Sequence, residues 1–242
     1  AARHSTLSAR VLGTTIPAGS NGPARLARAL DILFQHPNVG PFFARQMIQR
    51  LVTSNPSPAY VARVAARFDD NGAGVRGDLK AVWKAILLDD EARGDAGLVS
   101  TTHGKVREPM VRVYQWLRSF DGHSLSGQWR FDLAVANPRS WYGQRPLASP
   151  SVFNYFRPGH VPPGTAMAAA GATAPEFQIL NESSVSQWVN FIDNLNLVSG
   201  VPSFRLPQTD IVTDFVREKP LSSDLPALVR HLNLLLAAGQ VS

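Results

Sequence analysis

The strongest structural signal in this chain is an apolar repeat with the period of an α-helix. In the run LKAVWKAILLDD the apolar side chains recur at intervals of three and four residues, on one helical face: Leu79, Val82, Trp83, Ile86 and Leu87. Asp78 stands directly before them and is predicted to cap the helix. Similar repeats recur along the chain, and no run alternates apolar and polar residues as a half-buried strand does. The sequence therefore predicts an all-α, irregular multi-helix fold with about seven helices.

Composition divides the chain into four stretches. Residues 1–22 are predicted to form an irregular arm, and residues 23–120 an N-terminal helical part. Residues 121–181 hold seven of the 18 Pro and sustain no period, which is typical of a functional loop or of disorder. Residues 182–242 return to helical patterning, with Asn181 placed to cap the first helix. We expect one compact domain overall, as the C-terminal portion of a longer protein.

Charge and Cys content restrict the possible functions. The formal net charge is +6, and only four of the 24 basic residues are Lys. The basic residues are spread along the chain, so nucleic-acid binding is not favoured. With no Cys, the chain has neither a disulfide framework nor a thiol nucleophile, and this suits an oxidising compartment. No apolar run approaches the ~18–20 residues of a membrane span.

The acidic, Gly-rich run DDNGAGVRGD, residues 69–78, resembles a calcium loop at first sight. A loop of the EF-hand kind that started at Asp69 would need oxygen ligands at its positions 5 and 12. Those positions hold Ala73 and Lys80. Glycines followed by a capping Asp are what a sharp turn between two helices requires, so we predict a connector, with Ser57 and Pro58 starting the preceding helix.

No other motif predicts catalysis or a metal centre. GHSLSG resembles a hydrolase nucleophile elbow around Ser124, but the second Gly comes one place late and the strand–turn–helix context is missing. The six His lack ligand spacing, and His231 lies between two Leu in a predicted helix, where a structural role is expected. The sequence predicts no cofactor and no metal.

The most unusual stretch is WYGQRPLASPSVFNYFRPGHVPPG, residues 141–164. Aromatic rings beside hydrogen-bonding groups can form a platform for sugars, peptides or ring-bearing ligands. The alternative is a long loop that its aromatic side chains anchor onto the helices. The candidate ligand-binding residues of this stretch are Trp141, Asn154, Tyr155, Arg157 and His160.

Several segments together resemble the bacterial family of domain of unknown function 1800. They include HPNVGPFFARQMIQRLVTSNPSPAYVARVAARF, GVRGDLKAVWKAILLDDEAR, KVREPMVRVYQWLRSF, PSVFNYFRPGHVPPG and APEFQILNESS. The resemblance implies a mostly helical, exported protein, periplasmic or secreted. It also implies a partner of the domain of unknown function 1501 family, whose members resemble sulfatases. It assigns no catalytic residue.

These observations predict an exported helical binding or scaffold module that acts with a partner protein in the cell envelope. A glycan or another anionic ligand fits the 141–164 stretch. The alternative is a hydrolase-type enzyme acting on a polymer or glycan near that stretch. Glu176 and Glu182 are its candidate acids, because glycoside hydrolysis needs a pair of carboxylates.

Overall fold

The computed structural model describes residues 4–129, 143–144, 147, 149–152, 154–197 and 210–241, and the backbone alone for 191–197. The structure is mostly helical, with 50% helix and 5% strand, which confirms the predicted all-α class. Two compact units divide the chain, Ala1–Val99 and Ser100–Ser242. Among the described residues, no helix has the length and apolar character of a membrane span.

The first unit contains a hairpin followed by helices. Its elements within residues 4–99 are β1 (Ala9–Val11), β2 (Thr14–Ile16), α1 (Gly22–Phe34), α2 (Val39–Leu51), α3 (Pro58–Asp69), α4 (Leu79–Leu87), α5 (Asp90–Arg93) and α6 (Ala96–Val99).

The second unit combines helices with long irregular segments. Its described elements are α7 (Pro109–Ser119), β3 (His123–Ser124), α8 (Ala166–Ala169), a 3-10 helix (Pro175–Gln178), α9 (Glu182–Leu197), β4 (Ile211–Val212), a second 3-10 helix (Lys219–Ser223) and α10 (Leu225–Ala237). β3 pairs with β4 in an antiparallel register that sets Ser124 opposite Ile211.

The predicted N-terminal arm contains regular structure. β1 and β2 pair antiparallel with Ala9 opposite Ile16, and Leu12 and Gly13 between them have φ of 44° and 83°. Positive φ at both central residues gives the tight turn that matches the twist of the flanking strands. Residues 1–22 are therefore not irregular throughout.

The helix starts follow the sequence signals. Ser57, Asp78 and Asn181 accept hydrogen bonds from backbone N–H groups in the first turns of α3, α4 and α9, at 3.1, 3.0 and 2.9 Å. Pro58 is the first residue of α3, where its missing N–H costs nothing. All three predicted caps are confirmed, because a side-chain oxygen satisfies N–H groups that have no partner within the helix.

The core of the first unit lies between α2, α3 and α4. Tyr60 contributes a hydrogen bond to this core, since its buried hydroxyl donates to the carbonyl oxygen of Ile86 at 2.5 Å. Buried side chains from all three helices contact one another here, so this cluster is the hydrophobic core of the unit. Its buried members are Ala44, Ile48, Tyr60, Val64, Ala65, Phe68, Val82 and Ile86.

The apolar stripe of α1 is the exception among the helices. The sequence places Leu26, Leu30, Leu33 and Phe34 on one face, and the helix forms as predicted. These side chains nevertheless remain between 41% and 61% exposed. Periodicity therefore identified the helix but not a buried face.

The 69–78 run is the connector between α3 and α4. The Asp70 carboxylate accepts from the N–H groups of Gly72 and Gly74, both at 2.8 Å. The Asn71 amide donates to Asp78 at 2.8 Å. Hydrogen bonds to the charged forms hold the pKa values of Asp70 and Asp78 below their usual range, chiefly from Gly72 N–H and from the Asn71 amide respectively.

Arg76 fixes the far side of this connector. Its guanidinium pairs with Asp69 and lies 5.1 Å from the ring centroid of Phe68 and 5.6 Å from that of Phe34. Gly77, with φ of 77°, is required next to it, because a Cβ there would lie 2.5 Å from the Phe34 ring. The loop is thus organised by its own side chains and by aromatic contacts.

Removing the Ile86 side chain tests the first core. Ile86→Ala is expected to lower the free energy of unfolding by about 2–5 kcal/mol, because Ile86 is fully buried and the neighbours cannot fill the cavity. The adjacent Leu87 is 49% exposed, so Leu87→Ala should change the free energy of unfolding by about 0.5 kcal/mol or less. Urea unfolding followed by tryptophan fluorescence measures both. Equal losses would contradict this core.

A second prediction concerns the cap at Asp78. Asp78→Ala should destabilise the protein at pH 7, because the first turn of α4 loses its acceptor. The carboxylate is favoured in the folded state, so its contribution is present above the unfolded value of 3.8 and is lost as pH falls through the lower folded value. Wild type and variant should therefore converge in urea titrations only as pH falls through that lower folded value, below 3.8.

The control for that experiment is Asp78→Asn, which retains an acceptor oxygen and should lose less stability. Calcium should leave the melting temperature unchanged in all three proteins. A calcium-dependent rise in melting temperature that Asp69→Ala abolishes would show that the connector is an ion site instead.

Candidate functional site

The candidate site is the segment 154–160, called the rim below, which carries four of the five predicted ligand-binding residues. It is a tight, internally bonded turn. Asn154 has φ of 66° and donates its N–H to the Ser151 carbonyl at 3.1 Å. The N–H of His160 donates to the Arg157 carbonyl at 3.0 Å. Asn tolerates the left-handed conformation better than most residues, which suits it to this position.

A buried segment, residues 172–176, holds the rim from behind. The N–H of Ala174 donates to the carbonyl of His160 at 2.9 Å. The N–H of Arg157 donates to the side-chain oxygen of Gln178 at 2.9 Å. Every residue from 172 to 176 is buried, so the rim rests against a packed surface.

The aromatic residues of the rim serve as anchors. Tyr155 is 9% exposed and Phe156 is 4% exposed, so both rings lie inside the protein. Tyr155 was predicted to offer a stacking face to a ligand, and its buried ring does not present one. Trp141, the other predicted aromatic, lies outside the described residues.

The polar residues of the rim lie on either side of these two anchors and indicate which ligand groups the rim can bind. Asn154 and Arg157 are exposed, and His160 is half-buried. Among the described residues, none of the three side chains makes a hydrogen bond or ion pair of its own. The structure thus brings together, on one rigid turn, an amide, a guanidinium and an imidazole that are available to a ligand.

A buried ion pair supports the segment behind the rim. The Glu176 carboxylate is 1% exposed, and its Oε1 lies 3.4 Å from Lys105 Nζ. A buried carboxylate requires a compensating cation, so this pair fixes the 3-10 helix against the loop that precedes α7. Glu182, the second predicted acid, is exposed in the first turn of α9.

Ser124 forms a structural clamp. Its Oγ lies 3.1 Å from each carboxylate oxygen of Asp210, which is 1% exposed, and accepts from the N–H of Trp129 at 3.0 Å. The imidazole of the adjacent His123 lies 3.6 Å from Asp214 instead. Among the described residues, Ser124 has no imidazole partner and residues 125–129 after β3 are not helical, so they do not form a nucleophile elbow.

A second His–carboxylate pair joins the middle of α10 to the residue before the second 3-10 helix. Nε2 of His231 is 2.7 Å from Oε1 of Glu218, and the other carboxylate oxygen of Glu218 is buried and has no hydrogen-bond partner among the described residues. This contact explains the structural role that was predicted for His231. Within the described residues, no three His, Asp or Glu side chains are grouped as metal ligands.

Sequence reasoning missed two cavities beside α7. One has a volume of about 340 Å³ and the other about 520 Å³. Their residues come from α7, α9 and α10 and from the segments beside them, so no local motif could have revealed them. The available signal was the group of basic residues in and just before α7, namely Arg107, Arg112 and Arg118. A further cavity of about 620 Å³ lies between α3 and α4 in the first unit.

The helical fold and the rim together define a mostly helical protein with a polar turn held on a buried support. The chain belongs to the family described as "Protein of unknown function (DUF1800)", whose match covers residues 1–242. This confirms the resemblance inferred from the five segments. No curated protein and no solved structure matches the chain significantly.

The ion pair behind the rim yields a stability prediction. Lys105→Met should lower the free energy of unfolding by about 3–5 kcal/mol, because the Glu176 charge stays buried without its cation. The double variant Lys105→Met/Glu176→Leu should recover most of that loss. Denaturant unfolding measures both.

The matched control is an exposed pair in the same unit, Arg217 and Asp121, whose closest charged atoms are 3.2 Å apart. Asp121→Asn should cost about 0–1 kcal/mol, because solvent screens the interaction. If Lys105→Met costs no more than this control, the buried pair does not support the rim.

Proposed function

We propose that this chain is an exported helical binding or scaffold module that contacts a partner protein in the cell envelope through the rim. The observation that carries the proposal is the division of residues 154–160 into buried aromatic side chains and accessible polar ones. Two aromatic side chains are buried as anchors, while Asn154, Arg157 and His160 remain without side-chain partners among the described residues. Recognition residues are often placed on loops that a rigid scaffold holds.

The chemistry of the rim favours an anionic group on the partner. The exposed guanidinium of Arg157 can bind a carboxylate, sulfate or phosphate through two parallel hydrogen bonds. Asn154 adds an amide that both donates and accepts. Because the Arg157 backbone is already held by Gln178, little conformational freedom of the main chain is lost on binding. The net charge of +6 also attracts an anionic partner.

The partner we propose is a sulfatase-like protein of the domain of unknown function 1501 family, and a sulfated or otherwise anionic glycan is the proposed small ligand. Periplasmic or secreted location forms part of the proposal. The absence of Cys is compatible with an oxidising compartment. Membership of the family supports the choice of partner through the resemblance given above.

A hydrolase acting on a polymer or glycan is the second candidate, and the observation favouring it is a buried carboxylate next to the rim. Glu176 follows Ala174, whose N–H bonds to the rim, by two residues. A general acid must reach the leaving-group oxygen. Glu176 is 1% exposed and paired with Lys105, so a substrate could reach it only after this pair had separated. Binding is therefore the function that the geometry supports better.

Substitutions on the rim test the proposal. Arg157→Ala should weaken binding of the purified sulfatase-like partner by about 10- to 150-fold, because a hydrogen bond to a charged group contributes about 1.5–3 kcal/mol. Asn154→Gly keeps the positive φ and removes the amide, so it should weaken binding less. Isothermal titration calorimetry measures both affinities, with sulfated and unsulfated glycans as additional ligands.

The control is Arg28→Ala, which removes an exposed Arg of the first unit whose side chain makes no hydrogen bond or ion pair among the described residues. It should leave the affinity unchanged, and circular dichroism should show that all variants remain folded. Equal affinities for Arg157→Ala, Arg28→Ala and wild type would reduce the rim to a structural loop. Hydrolysis of a glycan that Glu176→Gln abolishes would establish the second candidate.

A further inference from the structure

The two cavities beside α7 form a second surface of the same unit, separate from the rim. The smaller one, called the tryptophan cavity here, is lined by Trp116 from α7, Trp188 and Val189 from α9, and Leu236 from α10. Its volume of about 340 Å³ falls in the range of small-molecule sites. Two indole rings and two aliphatic side chains make it a site for an apolar or aromatic group.

A charged group completes the wall of the tryptophan cavity. The guanidinium carbon of Arg112 lies 4.8 Å from the ring centroid of Trp188, and its Nε donates to the carbonyl of Arg107 at 2.9 Å. Burial lowers the pKa of Arg112, which shows that the cation is partly removed from water. Within the described residues it has no carboxylate partner, although a desolvated cation is stabilised by a facing anion.

The larger cavity, called the arginine cavity here, continues from the first. Gln115 lines both cavities, and the successive residues Leu235 and Leu236 of α10 line one each. About 520 Å³ in volume, the arginine cavity has three guanidinium side chains and no acid among its described lining residues: Arg107, Arg118 and Arg217.

The state of these three Arg side chains decides which of them is available. Arg107 donates to the side-chain oxygen of Gln115, and Arg217 lies 3.2 Å from Asp121. Arg118 is exposed and has no side-chain partner among the described residues. Among the described residues of this surface, Arg112 and Arg118 are thus the two cations that an incoming anion can neutralise without displacing a hydrogen-bonded side chain.

The pattern along α7 explains why apolar and basic cavities adjoin. Val113 and Leu117 are buried on the inner face of the helix. Tyr114 and Arg118, four residues apart on the helix, line the arginine cavity together with Arg107 from the segment before the helix, while Trp116 lines the other cavity. One helix therefore presents an apolar pocket and a cationic pocket side by side, with Gln115 between them.

We propose that α7, α9 and α10 form a binding site for a small anionic amphiphile. Its apolar or aromatic part occupies the tryptophan cavity, and its carboxylate, sulfonate or phosphate lies between Arg112 and the arginine cavity. The apolar part contributes affinity through burial, and the anion contributes selectivity because it neutralises a cation that is partly desolvated. The partner contact at the rim does not require this site.

Naphthalene derivatives that differ in one group provide the test. The full chain is titrated with 1-naphthaleneacetate, 1-naphthalenesulfonate and 1-naphthyl phosphate, with neutral 2-(1-naphthyl)ethanol and with acetate, and tryptophan fluorescence and calorimetry report binding. At least one naphthyl anion should bind tenfold or more tightly than the neutral alcohol, and acetate should not bind measurably. Equal affinity for the anions and the alcohol would overturn the proposal, as would no binding of any naphthyl probe at millimolar concentration.

Charge-neutralising variants test where the anionic group of the ligand binds. Arg112→Gln should remove most of the preference for anions and leave the weaker binding of the alcohol. Arg118→Gln alters an exposed side chain that is not needed for folding, and should reduce the preference at least threefold. The matched control, Arg230→Gln, changes an exposed Arg of α10 that lines neither cavity and should have no effect.

Two outcomes of this series would contradict the site. One is the same preference for anions in Arg118→Gln as in Arg230→Gln, whether or not Arg112→Gln folds. The other is binding to phosphatidylglycerol vesicles without binding of any free naphthyl anion, since that would indicate a lipid surface in place of an enclosed small molecule.

Discussion

The buried ion pair between Lys105 and Glu176 is the constraint on which the second unit depends most. A carboxylate that is 1% exposed is stable as an ion only where a cation and hydrogen bonds replace water. The pair joins the loop before α7 to the 3-10 helix Pro175–Gln178. The same helix supplies Gln178, which holds the Arg157 backbone, so the position of the rim follows from the position of Glu176.

Helix α7 links this support to the rest of the unit. Its inner face buries Val113 and Leu117, and Phe120 at its end contacts Trp116 and Phe215 with ring centroids 4.4 and 5.0 Å apart. The other faces of the helix line the two cavities. A single short helix thus combines core packing with a mixed apolar and cationic surface, and this requires the Arg side chains to extend over aromatic rings rather than into the core.

A structural feature can be predicted from this sequence when the residues that form it are close together in the chain. Helices and their caps are local, and so Asp78, Ser57 and Asn181 were identifiable from a few neighbouring residues. Burial depends on distant partners. The stripe of α1, which includes Leu26, therefore formed a helix as predicted and yet remained exposed.

The candidate site shows the same limit. The composition of residues 141–164 pointed to a surface with aromatic and polar groups, and Arg157 and Asn154 are exposed there. Which of these side chains are buried and which are exposed could not be predicted. Whether Tyr155 faces solvent or the interior depends on packing that single-sequence patterns do not encode. The pairing of Lys105 with Glu176, and of Ser124 with Asp210, joins residues that are far apart in the sequence.

Amide hydrogen exchange tests most directly whether the rim is the binding surface. The N–H groups of Asn154 and His160 donate only within the turn and should exchange readily in the free chain. With the sulfatase-like partner at saturation, we expect slower exchange over residues 151–160 and unchanged exchange in α1. Unchanged exchange over 151–160 while the partner is bound, with slowing confined to other segments, would contradict the assignment of the rim as the contact surface.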